Sequence, residues 1–567
     1  MSNKKVLVSI ETVKIKDFIF STNKLKVIRG ASYLLDFLNQ VEIPKILKEY
    51  GFRFSEMQDG KKIDENIIYI NAGNAKFFTK DEETAKNIIK EIRKKYEEIA
   101  PGSKIVATFE KEKEDEKIWD LFDRAAEKTA IEKNKGFSTL NIDLPFIQKC
   151  VICNANPAEF KKHDIENKNI KELENENDGI CNECLQKIKC SEKIKEDSEK
   201  VGFYSTFNAS FKNEDKFNDF MPAKDISSYK DGKSFIGFMY ADGDSLGDFL
   251  KNIKKKYKDI DEKKGYEEAK KEYLDFYGKF SKKLDEITRG ELIEVIKEMK
   301  DQFPFIKTEK GKETDKKNYG EFLIVGGDDV CAIFPSNLVF EISQRYQQKF
   351  QEKMEEFWKS ENVDWQEEEI KNNITTSCGV VIAKHKTPLH YLFDQSLKLQ
   401  KSAKKARYEY FSKDGNKLEF KKGFIDFQVI GSEGTVNIAE FRENLKNLME
   451  RPYIIGNVVN DESIKTFGKF KKDIIDLKKL KFPKNKLREF YNIKRKYGDK
   501  KFFIKLDIID LVENIKSKKQ REIAKKIFFD GEFLQNEKIN LENIFDIIEI
   551  YDFIKSDDKN EVENEIN

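Results

Sequence analysis

Apolar and polar positions change period in a regular way along the amino-terminal part of the chain. Val6–Val13 alternate as a strand does, and from Gly30 to Tyr50 apolar residues fall at helical spacing. Two short apolar runs follow, Ile67–Ile70 and Lys76–Phe78. They are joined by Asn71-Ala72-Gly73-Asn74, where glycine and asparagine tolerate the positive φ of a tight hairpin. A helix over Glu82–Ile99 and a strand over Lys104–Phe109 complete a β-α-β-β-α-β order, which predicts a ferredoxin-like unit.

The same order then returns. Phe235–Tyr240 reads as a strand, the stretch from Tyr266 to Lys300 as a helix, and Phe322–Phe334 as a hairpin turning at Gly326-Gly327-Asp328-Asp329. Ser336–Trp358 follows as helix, Thr375–Ala383 as strand, Leu389–Tyr408 as a further helix and Phe424–Ile430 as a closing strand. After Gly431 the pattern is helical, punctuated by Pro452 and Pro483. The fold class expected is α+β, in four parts: residues 1–145 a first ferredoxin-like unit, 146–234 a polar cysteine-bearing insert with its linker, 235–432 a second such unit, and 433–567 a helical domain.

A length of 567 residues agrees with several structural units rather than one core. With 106 Lys+Arg against 104 Asp+Glu the net charge is only +2, so any basic surface must be local. The apolar stretch Val6–Ile10 is too short for a signal peptide, and no apolar run approaches the roughly 20 residues a membrane span needs. A cytoplasmic protein without membrane contact is expected.

Chemistry concentrates in the second unit. Ala241-Asp242-Gly243-Asp244-Ser245-Leu246-Gly247 ends its first strand, and Gly326-Gly327-Asp328-Asp329 forms the tip of its hairpin. Those strands are neighbours roughly 4.8 Å apart in this fold, so Asp242, Asp328 and Asp329 can converge. Three carboxylates at a sheet end call for hard divalent cations, Mg or Mn. Two ions about 3.5–4 Å apart would activate a hydroxyl and stabilise leaving pyrophosphate, which is nucleotidyl-transfer chemistry. Gly243, Gly326 and Gly327 let backbone approach phosphates, and with Asp244 and Ser245 they are the expected nucleotide-facing positions. Gly-Gly-Asp-Asp by itself is also ordinary turn chemistry. A calcium loop is excluded, because its fifth and twelfth positions would be Leu246 and Ile253. Lys401, Lys404, Lys405 and Arg407 follow on a helix; Lys401 and Lys405 are the candidates for a triphosphate clamp, against a merely solvated basic face.

Cys150-Val-Ile-Cys153 and Cys181-Asn-Glu-Cys184 have the spacing of a closed, structural tetrahedral zinc site. Such a site would staple a module too polar to fold by burial alone. Cys190 reads as a spare thiol, with a substitute zinc ligand as the alternative, and Cys331 and Cys378 read as core packing. His163-Asp164 is the single His-Asp pair and reads as surface near the zinc loop; His385 and His390 flank Pro388 and read as capping or packing, with a place against a nucleotide base as the alternative. The first unit carries Ala72-Gly73-Asn74 where the second has aspartates, and Glu11 is the only carboxylate near its first strand. It is expected to be a degenerate partner forming one wall of a nucleotide pocket.

Two palm-like units, only the second with Gly-Gly-Asp-Asp, a four-cysteine module between them and a helical carboxyl end together resemble the large, polymerase-like subunit of type III CRISPR complexes, of the Cmr type. Ile15-Lys16-Asp17-Phe18-Ile19-Phe20, Arg29-Gly30-Ala31-Ser32 and Lys384-His385-Lys386-Thr387-Pro388-Leu389 are similar to that family's motifs. The resemblance implies Cmr-type partner subunits, guide RNA and target RNA, with target pairing switching on synthesis of a signalling nucleotide from ATP. The product it implies is cyclic oligoadenylate or an adenylate conjugate of S-adenosylmethionine. Many relatives carry an amino-terminal His-Asp nuclease domain; this sequence opens on its first palm, and no intrinsic DNase is expected.

Two other readings compete. A diguanylate cyclase shares the palm, but its signature differs at Asp328-Asp329-Val330. A non-catalytic scaffold of the RNA-guided complex is the alternative from a different class, and the intact aspartate set argues against it.

Overall fold

The structure is a computed structural model that describes residues 5–54, 64–136, 146–165, 170, 173–193, 201–211, 223, 225–307, 313–360, 374–412, 422–431, 437–456, 466–498, 500–529 and 539–555. In the first unit, β1 (Val6–Val13) leads through α1 (Ile15–Ile19), α2 (Leu25–Phe37) and α3 (Ile43–Glu49) to the hairpin β2 (Ile67–Asn71) and β3 (Asn74–Thr79). Then come α4 (Glu82–Ile99), β4 (Lys104–Lys111) and α5 (Ile118–Asn134). The sheet order is β2-β3-β1-β4, fully antiparallel, as the repeated pattern predicts for a ferredoxin-like unit. Asp81 starts α4 by accepting the Thr84 backbone N–H.

The cysteine-bearing stretch forms a small ribbon, β5 (Phe160–Lys161) against β6 (Gly179–Ile180), followed by α6 (Asn182–Lys193) and α7 (Gly202–Phe211). In the second unit, β7 (Phe235–Gly243) is followed by α8 (Leu246–Lys264) and α9 (Tyr266–Glu298). A short hairpin, β8 (Phe305–Lys307) and β9 (Glu313–Lys317), precedes the main one, β10 (Glu321–Gly326) and β11 (Asp329–Pro335). Then come α10 (Val339–Ser360), β12 (Thr376–Lys384), α11 (Leu389–Ser412) and β13 (Phe424–Ile430). Strand order β10-β11-β7-β12 repeats that of the first unit, with β13 added in parallel to β12.

Two departures from the sequence reading stand out. Lysine-rich residues after Gly243 form α8, whose Phe249, Ile253 and Tyr257 are its buried stripe. Beyond Gly431 the chain is not purely helical: β14 (Tyr453–Ile454) pairs with β13 and extends the second sheet. Around it lie α12 (Ile438–Glu443), α13 (Phe467–Lys479), α14 (Lys484–Tyr497), α15 (Lys501–Glu513), α16 (Lys518–Phe528) and α17 (Ile544–Ile550). Arg451 ties this part to the sheet: its guanidinium meets Asp546 at 2.8 Å, and Asp546 also accepts the Tyr453 hydroxyl at 2.7 Å.

Side-chain alternation buries both sheets on two faces. Val6, Val8 and Ile10 of β1 and Ile236, Phe238 and Tyr240 of β7 lie in one shared core, whereas Leu7, Met239 and Ala241 belong to the core that reaches the carboxyl-terminal helices. The two units therefore have no separate cores, and the ends of β1 and β7 are held in one frame. Among the described residues no helix is long and apolar enough to cross a membrane.

Candidate active site

Strand pairing brings the aspartates together. Val330 pairs with Ala241 and Gly326 with Asp329, so Asp242 and Asp329 end adjacent strands while Asp328 occupies the hairpin tip. Asp328 lies against Gly243: a Cβ there would stand 2.7 Å from its carboxylate oxygen, so only glycine leaves the aspartate room. Gly327 turns the tip at φ +61°, in the left-handed region that favours glycine.

Residues beyond the motif hold the tip. On α9, Asp285 accepts the Gly327 N–H at 2.9 Å and the Thr288 hydroxyl donates to the Gly327 carbonyl at 2.6 Å. Arg289, buried, pairs with Asp285 at 3.0 Å and with Asp36 of α2 at 3.6 Å. None of these was singled out from the sequence, because their spacing is that of any amphipathic helix.

Cations lean on the carboxylates from both units. Lys404 of α11 donates to Asp242 at 2.5 Å and to the Gly243 carbonyl at 2.6 Å, with Gln400 adding a bond to Asp242 at 3.2 Å. Lys16 of α1 contacts the Tyr240 hydroxyl and lies 3.8 Å from Asp329, to which Tyr240 donates at 2.5 Å. Burial, then the charge of Asp242, pushes the Asp328 carboxyl up to about 7 and that of Asp329 up to about 6. Burial and mutual repulsion leave Asp328 and Asp329 short of positive charge.

Several expected positions are placed differently. Lys401 and Lys405 are exposed, and Lys405 pairs with Glu409 at 3.7 Å; Lys404 is the lysine turned to the site. Ala403, fully buried, sets that rotation of α11. Asp244 is 1% exposed and faces inward, accepting from Thr375 at 2.7 Å and Ser377 at 3.0 Å and pairing with Arg407 at 3.4 Å. It joins β7 to β12 and cannot reach a nucleotide without unfolding that contact. The Ser245 hydroxyl accepts from Arg407 at 3.1 Å. His390 bonds Asn23 at 2.9 Å and His385 the Ser234 carbonyl at 3.3 Å, away from the aspartates.

The first unit presents its counterpart face to face. In matching register, Glu11 stands where β7 has Asp242, and Gly73-Asn74 where the hairpin has Asp328-Asp329. Glu11 is paired with Lys133, and the two tips meet, Gly327 beside Ala72. Between the units a cleft of about 390 Å³ is lined by Thr12, Lys14, Lys16, Asp17, Ser32, Asp36, Gly73, Arg289, Gly326 and Asp329. That volume suits a small molecule.

The carboxylate oxygens of Asp242, Asp328 and Asp329 are hard, acceptor-only donors of the kind Mg or Mn takes, although they do not all lie within 4.8 Å of one another. Among the described residues, the only set of three or more potential ligand atoms all within 4.8 Å of one another is the four thiols of Cys150, Cys153, Cys181 and Cys184. Cys153 and Cys181 have sulfurs 3.9 Å apart, close to the separation of about 3.8 Å that tetrahedral Zn–S bonds of about 2.3 Å require. The cysteine cluster suits zinc. Cys190 lies outside it, in the core shared by the two units. His163 and Asp164 form a partly exposed pair, 3.2 Å apart, on the module's surface.

Residues 235–412 match the family described as Cas10/Cmr2, second palm domain. No curated protein matches. Among solved structures, the chain is similar to Csm1 in T. onnurineus at 13% identity, TM-score 0.49, covering 97% of this chain and 70% of that one. It is similar to a Csm1-Csm4 cassette in complex with cA4 at 12% identity, TM-score 0.49, with 97% and 70% coverage. A Csm1-Csm4 cassette in complex with one ATP gives 12% identity, TM-score 0.48, with 98% and 70% coverage. The segment that carries all three aspartates is therefore the one that resembles a Cas10/Cmr2 second palm domain.

Proposed function

We propose that this chain is the large subunit of a type III CRISPR complex of the Cmr type and makes a signalling nucleotide from ATP when target RNA pairs with the guide. The observation that supports this most is the strand register that ends adjacent strands at Asp242 and Asp329, with Asp328 at the hairpin tip and Asp329 lining the cleft between the two units. Divalent ions held by these three would lower the pKa of an attacking ribose hydroxyl and neutralise departing pyrophosphate. Around them the chain supplies the rest. Gly243 leaves room for Asp328, Gly326 lines the cleft, and Asp285 and Thr288 fix the hairpin tip at Gly327. Lys404 and Lys16 are the cations within reach of a triphosphate.

The product is cyclic oligoadenylate or an adenylate conjugate of S-adenosylmethionine; the acidic and basic lining of the cleft, with Asp17, Asp36, Lys14 and Arg289, suits either a second ATP or an amino acid zwitterion.

The test is incubation of the assembled complex and target RNA with labelled ATP and Mg²⁺ or Mn²⁺, with and without S-adenosylmethionine, and mass spectrometry of the products. Adenylate products abolished by Asp328→Ala with Asp329→Ala uphold the reading. No nucleotide product under any of these conditions leaves a non-catalytic scaffold.

A further inference from the structure

Charge is distributed very unevenly along this nearly neutral chain. Residues 466–529 contain 21 lysines and arginines against eight acidic residues, a net +13 within a chain whose total is +2. These residues build α13 to α16.

Within that basic block, α15 carries apolar residues on its exposed side as well as its buried one, among Lys501, Lys505, Asp507, Asp510 and Glu513. Ile504, Ile508 and Val512 turn into the core, yet Phe502, Phe503 and Leu506 face outward, exposed by 68%, 50% and 51%. Large exposed rings grouped together mark a contact surface. They form a built platform: Tyr497, at the end of α14, stacks on Phe503 with centroids 5.7 Å apart and planes at 17°, and Phe502 stands edge-on to Phe503, also at 5.7 Å. Arg495, Lys496, Lys500 and Lys501, all exposed, lie next to the rings in the sequence, and Lys496 also pairs with Asp507 at 3.6 Å. Lys496 lies 4.3 Å from the centroid of Tyr497.

We infer that this aromatic platform at the α14–α15 junction binds single-stranded nucleic acid. Ring faces open to solvent stack on bases whose own faces are free, which a duplex does not offer, while the neighbouring cations track phosphates. A protein partner would favour the opposite arrangement, because interface centres are depleted of lysine. The inference does not depend on the adenylate reading, since binding is measured without ATP.

The experiment is fluorescence polarisation of the full chain with a short labelled single-stranded RNA, DNA of the same sequence, and an RNA hairpin duplex. Phe502→Ala with Phe503→Ala is expected to weaken single-strand binding by about tenfold or more. Lys500→Gln with Lys501→Gln is expected to lower the slope of log affinity against log salt by about 1.4, at roughly 0.7 per phosphate contact. Asp328→Ala with Asp329→Ala leaves both quantities unchanged. Because the two rings are largely exposed, the melting temperature is expected to hold, and Phe502→Trp should retain binding. Equal affinity for RNA and DNA assigns the surface to base faces and phosphates; preference for RNA adds a 2′-hydroxyl contact. The inference is overturned if the chain binds no single strand, if it prefers the duplex, or if the phenylalanine variant binds as tightly as the original chain, including the case in which that variant loses only a partner subunit.

Discussion

Asp242 and Asp244 are two residues apart and have opposite roles. Asp242 ends β7 at the solvent side beside Lys404, whereas Asp244 is enclosed with Arg407. Asp244→Ala should cost about 3–5 kcal/mol in urea unfolding, because it leaves a buried guanidinium without its counter-charge. Asp242→Asn should leave the urea midpoint within experimental error of the original while removing nucleotide product. Asp328 and Asp329 make a pH prediction. Their raised values mean that the folded chain binds more protons than the unfolded one between the ordinary carboxyl value, about 4, and about 7. In chelator, stability contributed by this pair therefore falls as pH rises through that window, and Asp328→Asn should flatten the fall. Mn²⁺ affinity, followed by calorimetry, should rise with pH over the same interval and level off above it.

At the scale of elements, close contacts and tip anchors decide function. Gly30 of α2 lies so near α6 that a Cβ would stand 1.7 Å from the Lys187 carbonyl oxygen. Lys187 is fully buried, its ammonium donating to the Phe18 carbonyl at 2.6 Å and the Ser21 hydroxyl at 2.9 Å, so the cysteine module is clamped onto the first unit. Gly30→Val should separate the two helices and lower stability by about 1–3 kcal/mol, with protease cutting appearing near the cysteines first. Asp285→Ala removes the acceptor of the Gly327 N–H and one of the two carboxylates paired with buried Arg289, so product formation should fall about 10–100-fold and the melting temperature should fall with it.

Across the whole molecule, the two units are joined by a buried ion pair. Arg29 of α2 donates twice to Glu321 of β10, both at 2.7 Å, and Glu321 also accepts from Tyr229 at 2.7 Å and Tyr204 at 3.0 Å. Either Arg29→Met or Glu321→Gln alone should cost about 3–5 kcal/mol, and the double variant less than the sum, because one change strands a charge and two remove it. The measurement is a double-mutant cycle in urea, and additive losses would refute the coupling.

Strand and helix order in both units was legible because burial on a pleated or helical face imposes a period of two or 3.6 on side chains of any identity. Asp242, Asp328 and Asp329 were legible for a related reason: glycine and aspartate at a strand end and a hairpin tip carry their geometry locally, and so do paired Cys-x-x-Cys motifs. Lys16, buried Asp244, Arg289 and the choice of Lys404 over its neighbours were not. Each depends on the rotation of a helix or the approach of a distant strand, set by side chains hundreds of positions away: Lys16 meets Asp329, and Arg29 meets Glu321. The same holds for the platform at Phe502 and Phe503, where an apolar run alone cannot tell a buried face from an exposed one. Local sequence determined the elements and the identity of the acidic and thiol clusters; only tertiary packing decided which charges face the cleft, which are sealed inside, and which rings remain in water.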